Sequence, residues 1–120
     1  MPKTTLVIGA SLKETRYSNI CVKTLTSAHY PVTALGLRPG YIDEVQVLNG
    51  YPELDGIHTI TLYMSAQNQA PWYEYIQELG PSRVIFNPGT ENAEFENVLC
   101  KQGIEVVQDC TIMMVQSGRY

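Results

Sequence analysis

Thr4-Thr5-Leu6-Val7-Ile8-Gly9-Ala10-Ser11 is the stretch on which the fold turns. Its first five residues are apolar or β-branched without alternation, the pattern of a strand buried on both faces. The run stops at Gly9. Residues 18–28 then place Ile20, Cys21, Leu25 and Ala28 near one helical face, with Ser18 or Asn19 expected to cap the helix start. A buried strand, a glycine-led turn and a helix make a first βα unit.

The same alternation continues outward. Residues 31–37 read as a second strand, ended by the turn signal Arg38-Pro39-Gly40. Residues 41–56 are less regular, with a short strand over 44–48 and a helical turn over 51–54. The β-branched run 57–63 predicts a strand, and residues 71–79 a helix that opens on Pro71 and stops at Gly80. A strand over 82–86, a loop over 87–90 and a helix over 91–101 follow, with Thr90 as the expected N-cap and acidic residues at the positive helix end. Residues 104–108 are the last strand, and residues 110–120 a short helix or a docked tail. Strands that alternate with helices are parallel and joined by right-handed crossovers. The expected fold is therefore α/β: a three-layer, Rossmann-like, doubly wound, mostly parallel sheet of about five or six strands. Residues 1–120 are read as one domain.

Composition narrows the class of ligand. A chain of 120 residues, 44% hydrophobic and 17% charged, is ordinary for a globular domain and buries about two-thirds of its unfolded surface. Eight Lys and Arg against twelve Asp and Glu leave a net charge of −4, which argues against a nucleic-acid partner because phosphate-backbone affinity needs clustered cations. A small phosphorylated ligand needs only two or three. Cys21, Cys100 and Cys110 are odd in number and lack CxxC spacing, so neither a disulfide framework nor a metal site is expected. Reduced thiols, no targeting segment ahead of the first strand and no apolar run of membrane-spanning length predict a cytoplasmic protein.

In a doubly wound sheet the ligand lies at the carboxyl ends of the strands, where strand order reverses. Gly9, Ala10 and Ser11 follow the first strand and precede a helix, so small residues let the backbone approach a phosphate that helix-start amides can bind. Against a full G-x-G-x-x-G, the second position is Ser11 and the third Glu14, and an ordinary strand-ending turn reads the same way. Lys13 and Arg16 lie in this loop, and Arg38 follows the second strand. An NAD site presents an acidic residue at that second strand end, but here stands Leu37-Arg38-Pro39. Arg38 suits a phosphorylated ribose, as in NADP or the 3'-phosphate of coenzyme A.

Gly9-Ala10-Ser11, Arg16-Tyr17-Ser18, Tyr30-x-Val32 leading to Arg38-Pro39, Gly89, Gly103-Ile104-x-Val106-Val107 and Asp109-x-x-Ile112 with Cys110 together resemble the small stand-alone CoA-binding proteins. Those in turn are similar to the nucleotide-binding domain of the succinyl-CoA synthetase α subunit. The resemblance implies a Rossmann-like sheet holding coenzyme A or acyl-CoA across its carboxyl edge. It implies that Gly9, Ala10 and Ser11 line the diphosphate, that Arg16 and Ser18 contact phosphate, and that Arg38 and Pro39 flank the adenosine. Met64 and Ser65, and Asn87 and Gly89 with Pro88 between them, are expected to add later contacts. The family often has Val-Asn-Pro where this chain has Leu37-Arg38-Pro39, and its polar-Gly loop stands here as Asn87-Pro88-Gly89.

No catalytic residue is expected. The phosphorylated histidine of the synthetases belongs to a separate domain; His29 reads as a helix-end surface residue and His58 as part of sheet packing. Cys110, just past the last strand, is read as a packing residue before a reactive thiol. Trp72-Tyr73-x-Tyr75 is read as core, with a ligand wall or subunit contact as the alternatives. The expected activity is non-catalytic binding of a nucleotide cofactor. The alternatives are a small NADP-dependent oxidoreductase, against which stands the lack of a Tyr-x-x-x-Lys pair, and an interaction protein without a ligand. A homodimer or another protein partner is compatible with the size, and no motif requires either.

Overall fold

Thr5, Leu6, Val7 and Ile8 are all buried, and the strand that they form lies at the centre of the sheet. The computed structural model describes residues 2–120. Its elements are β1 (Thr5–Ile8), α1 (Tyr17–Ser27), β2 (Val32–Leu35), β3 (Gly40–Ile42), β4 (Val45–Leu48), β5 (Thr59–Leu62), α2 (Tyr73–Leu79), β6 (Arg83–Phe86), α3 (Ala93–Lys101), β7 (Glu105–Gln108) and α4 (Thr111–Gln116). Two 3-10 turns, Ala66–Asn68 and Ala70–Trp72, precede α2.

The strands form one seven-stranded sheet in the order β3-β4-β2-β1-β5-β6-β7. All pairs are parallel except β3 with β4. The Rossmann-like, mostly parallel architecture is as expected, and the strand count corrects the expected five or six. The extra strand arises because Asp43 adopts a left-handed φ of 51°, which short polar side chains tolerate, and folds residues 40–48 into an edge hairpin.

Each central strand sends alternate side chains to opposite faces. Leu6, Ile8, Leu35, Ile60, Leu62, Val84 and Phe86 pack with Ile76, Phe95 and Leu99 of α2 and α3. Val7, Ala34, Val47 and Ile85 pack with Cys21, Val22 and Leu25 of α1 and with Ile112 and Met114 of α4. Two apolar layers thus hold helices on both faces, the arrangement that unbroken apolar strands require.

Three local expectations are corrected. Residues 51–54 are not helical; Tyr51 donates to the Pro71 carbonyl at 3.1 Å and Tyr75 to that of Pro52 at 2.6 Å, which pins an extended connection against α2. Asn92, not Thr90, caps α3: its Oδ1 accepts from the Phe95 amide at 3.1 Å while the Glu96 carboxylate accepts from the Asn92 amide at 2.8 Å. Thr90 instead donates its hydroxyl to the Asn87 carbonyl at 2.8 Å. Helix α1 begins at Tyr17 after Arg16, so Ser18 and Asn19 lie inside its first turn. Among the described residues no helix is long and apolar enough to cross a membrane.

Candidate functional site

From β1 the chain moves by way of α1 to β2 on one side, and later returns to β5 on the other. Strand order therefore reverses between β1 and β5, and the crevice at their carboxyl ends is the place where this architecture receives ligands. Residues 9–16 and 63–69 flank it, with residues 36–39 and 87–90 alongside.

Gly9 meets two demands at once. Its φ is +93°, and a Cβ there would stand 2.8 Å from the Tyr63 carbonyl oxygen, so the turn after β1 lies directly on the chain leaving β5. Gly36 has the same role on the other side: a Cβ there would stand 2.2 Å from the Ala10 carbonyl oxygen. Asn49 holds this second turn by donating to the Gly36 and Leu37 carbonyls at 3.1 and 3.2 Å. Further on, Leu12 covers Gly40, where a Cβ would lie 2.8 Å from the leucine methyl. The segment that carries Arg38 and Pro39 is consequently pressed against the loop that carries Lys13 and Arg16.

The hydrogen bonds decide which groups remain free for a ligand. The Gly9 and Ala10 amides both donate to the Leu35 carbonyl, at 3.0 and 2.9 Å, and the Ser11 amide donates to Ser18 Oγ at 3.0 Å. The Lys13 amide donates to Ser11 Oγ at 3.2 Å, and Asn19 Nδ2 to the Ser11 carbonyl at 2.9 Å. The amides of Gly9, Ala10 and Ser11, the residues expected to line a diphosphate, are thus committed to holding the loop itself, which leaves anion binding to the helix-start amides. The Tyr17, Ser18 and Asn19 amides, the first three of α1, donate to no oxygen of the described residues. They point out of the positive end of an eleven-residue helix. Lys13, Arg16 and Arg38 are exposed and take part in no ion pair among the described residues.

Across the crevice the expected contacts divide. Met64 is half-buried against the core and its carbonyl accepts from Gln69 Nε2 at 3.0 Å. Ser65 is exposed, its hydroxyl accepting from Asn68 Nδ2 at 3.0 Å. Asn87 is buried and spends its side chain inside the fold: Nδ2 donates to Thr61 Oγ1 at 2.7 Å and to the Leu62 carbonyl at 2.8 Å, while Oδ1 accepts from the Thr111 amide at 2.9 Å. Gly89 is exposed, with a left-handed φ of +92° and its amide on the Glu91 carboxylate at 2.9 Å.

Sequence reasoning missed Gly36, Gln69 and Asn92, and gave Asn19 only as a candidate helix cap, whereas its side chain holds the Ser11 carbonyl. Fully buried Gln69 ties the turn after β5 to the turn after β6, donating to the Thr90 carbonyl at 2.7 Å and accepting from Asn92 Nδ2 at 2.9 Å. Its only advance signal is a glutamine between two short turns, which many surface glutamines share. Beneath the crevice, Cys21 is buried and its thiol is pushed up to about 12, chiefly by burial, while burial also raises the neighbouring Tyr63 phenol. Neither group ionises near neutrality. Cys110 is half-buried and packs with the α1 and α4 layer, and His29 ends α1 on the surface. Of the aromatic cluster, Trp72 and Tyr75 meet Tyr51 at centroid separations of 4.8 and 5.3 Å, and Tyr73 stacks on Phe95 at 4.1 Å.

Two surface grooves lie on the helical faces. The groove of about 490 Å³ between α1 and α4 includes Ser27 and Ala28, at the negative end of α1, and the groove of about 610 Å³ beside α2 is lined by Glu74 and Glu78. The first pairs Lys23 with Glu14 and the second holds no cation, whereas the α1 start presents its positive end together with Lys13 and Arg16.

The comparisons with known proteins agree with the fold. The model of a family described as CoA binding domain matches residues 3–116. A crystal structure of an uncharacterized protein is 39% identical, covers 100% of this chain and 99% of its own, and superposes with a TM-score of 0.96. A structure from Thermus thermophilus is 20% identical over 99% of this chain and 91% of its own, with a TM-score of 0.87. A hypothetical protein from Pyrococcus horikoshii OT3 is 21% identical over 98% and 83%, with a TM-score of 0.85. These two lie in the range where likeness speaks for the fold alone. No curated protein matches the chain.

Proposed function

The chain belongs to the CoA-binding domain family, and from that premise we propose that it binds coenzyme A, or a short acyl-CoA, at the β1–β5 crevice without catalysing a reaction. The carrying observation is the coincidence at one strand-order reversal of three helix-start amides and three cations that find no acceptor or ion-pair partner among the described residues. The diphosphate is assigned to the Tyr17, Ser18 and Asn19 amides with Lys13 and Arg16. Arg38 is assigned to the 3'-phosphate, Pro39 to the adenosine flank, and the Met64-Ser65 and Pro88-Gly89 turns to the pantetheine arm. Gly9, Ala10, Ser11 and Asn87 support the site by fixing its loops. Three free cysteines favour a reducing, cytoplasmic setting.

Titration calorimetry tests the assignment. Coenzyme A is expected to bind well ahead of NAD and NADP, and Arg38→Ala to weaken coenzyme A about tenfold while leaving dephospho-CoA unchanged, because only the former carries the 3'-phosphate. Equal losses for the two ligands would remove Arg38 from that role, and no binding of either would remove the proposal.

A further inference from the structure

Two helices begin at the carboxyl edge of the sheet on either side of the crevice, and their starts are furnished in opposite ways. Helix α1 opens beside Lys13 and Arg16, with Arg38 on the neighbouring segment. At the start of α3 the protein's own carboxylates take the donors instead. The Gly89 amide donates to Glu91 Oε1 at 2.9 Å and the Asn92 amide to Glu96 Oε2 at 2.8 Å, while the Asn92 side chain takes the Phe95 amide at 3.1 Å. Glu94 adds another acidic side chain to this first turn. Residues 63–69 and 87–92, which form this half of the crevice, contain no Lys or Arg. Arg83 and Lys101 stand at the opposite, amino edge, where β6 opens and α3 ends, and Arg119 is paired with Asp109 at 2.8 Å. The crevice is therefore cationic beside β1 and β2 and anionic beside β6.

We propose that Glu91 determines specificity at the thiol end of the ligand: it admits short uncharged acyl groups and rejects acyl groups that end in a second carboxylate. The inference rests on coenzyme A binding at the β1–β5 crevice, with the pantetheine arm along the Met64-Ser65 and Pro88-Gly89 turns. An acyl group at the tip of that arm meets the turn after β6. There the exposed Gly89 amide, which a ligand carboxylate would use, is already held by Glu91, and Glu91 is itself exposed. A dicarboxylic half-thioester thus finds a like charge where it needs a donor, and a repulsive group of this kind discriminates against one ligand without strengthening another. An uncharged acyl group loses nothing there.

Malonyl-CoA and isovaleryl-CoA test this, because their acyl groups have the same number and branching of heavy atoms and differ in the carboxylate. In titration calorimetry at low salt, malonyl-CoA is expected to bind about tenfold more weakly than isovaleryl-CoA, and the gap to shrink as salt is raised. Glu91→Gln keeps an oxygen for the Gly89 amide and removes the charge. It is expected to leave Tm and isovaleryl-CoA binding unchanged and to bring malonyl-CoA to within about threefold. Equal affinities for the two thioesters, or a gap that Glu91→Gln leaves intact, would overturn the assignment while coenzyme A binding stands. Failure of coenzyme A itself to bind would remove the underlying reading and this assignment with it.

Discussion

At the scale of single residues, the site depends on contacts that have no signature along the chain. Gly36 ends an ordinary-looking strand, yet a methyl there would meet the Ala10 carbonyl oxygen at 2.2 Å, a backbone atom that cannot rotate away. Gly36→Ala is expected to force the β1 and β2 turns apart, at a cost of about 1–3 kcal/mol of stability, and to weaken coenzyme A binding as Arg38 moves off the crevice. Denaturant unfolding and calorimetry on the same variant check both effects. Gly9 was legible as a tight turn because it follows an unbroken apolar run. That its amide bonds Leu35 rather than an anion was not, since the acceptor lies on another strand. Arg38 was singled out from its place after the second strand, and the structure presses its segment onto the loop of Lys13 and Arg16.

Among the elements, helices were recognised more securely than their starts. Thr90 and Asn92 are both sound N-cap residues, and what separates them is the Asn87 carbonyl, which takes the Thr90 hydroxyl, and the Phe95 amide, which falls to Asn92. Asn92→Ala is expected to cost about 1–2 kcal/mol, because it removes the cap of α3 and a donor to buried Gln69 and to Tyr73. Asn92→Asp keeps the cap and loses only the donor, so its smaller loss in thermal unfolding separates the two contributions. The short strand expected over 44–48 is β4, but its hairpin partner β3 escaped because it is three residues long, too short for periodicity to mark. Helix α4 was anticipated as a short helix or docked tail; it is a helix whose first residue joins the Asn87 network, by Thr111 Oγ1 to Thr61 Oγ1 at 2.8 Å.

For the whole molecule, the two edges of the sheet carry different chemistry, and acid distinguishes them. His58 sits near Arg83 and Lys3 at the amino edge, and its imidazole is held below the usual histidine range, first by burial and then by those two cations, against the opposing pull of Glu105. The unfolded chain therefore binds the His58 proton more readily than the folded one as pH falls below about 6.5, and stability is expected to decline through that window and to level off above it. His58→Gln is expected to flatten this part of the stability–pH curve measured by urea unfolding; an unchanged slope would place its origin elsewhere. The sequence by itself determined the parallel, doubly wound plan and singled out the turn after the first strand as the candidate site, because apolar runs, glycine stops and helical faces are short-range patterns. Tertiary structure alone decided which donors stay free, since the Gly9 and Ala10 amides, Asn87 and Gln69 all find partners on strands and turns distant in sequence. It also decided that a tyrosine at position 120 meets an arginine at position 83, because only the folded sheet brings β6 and the end of the tail to the same place.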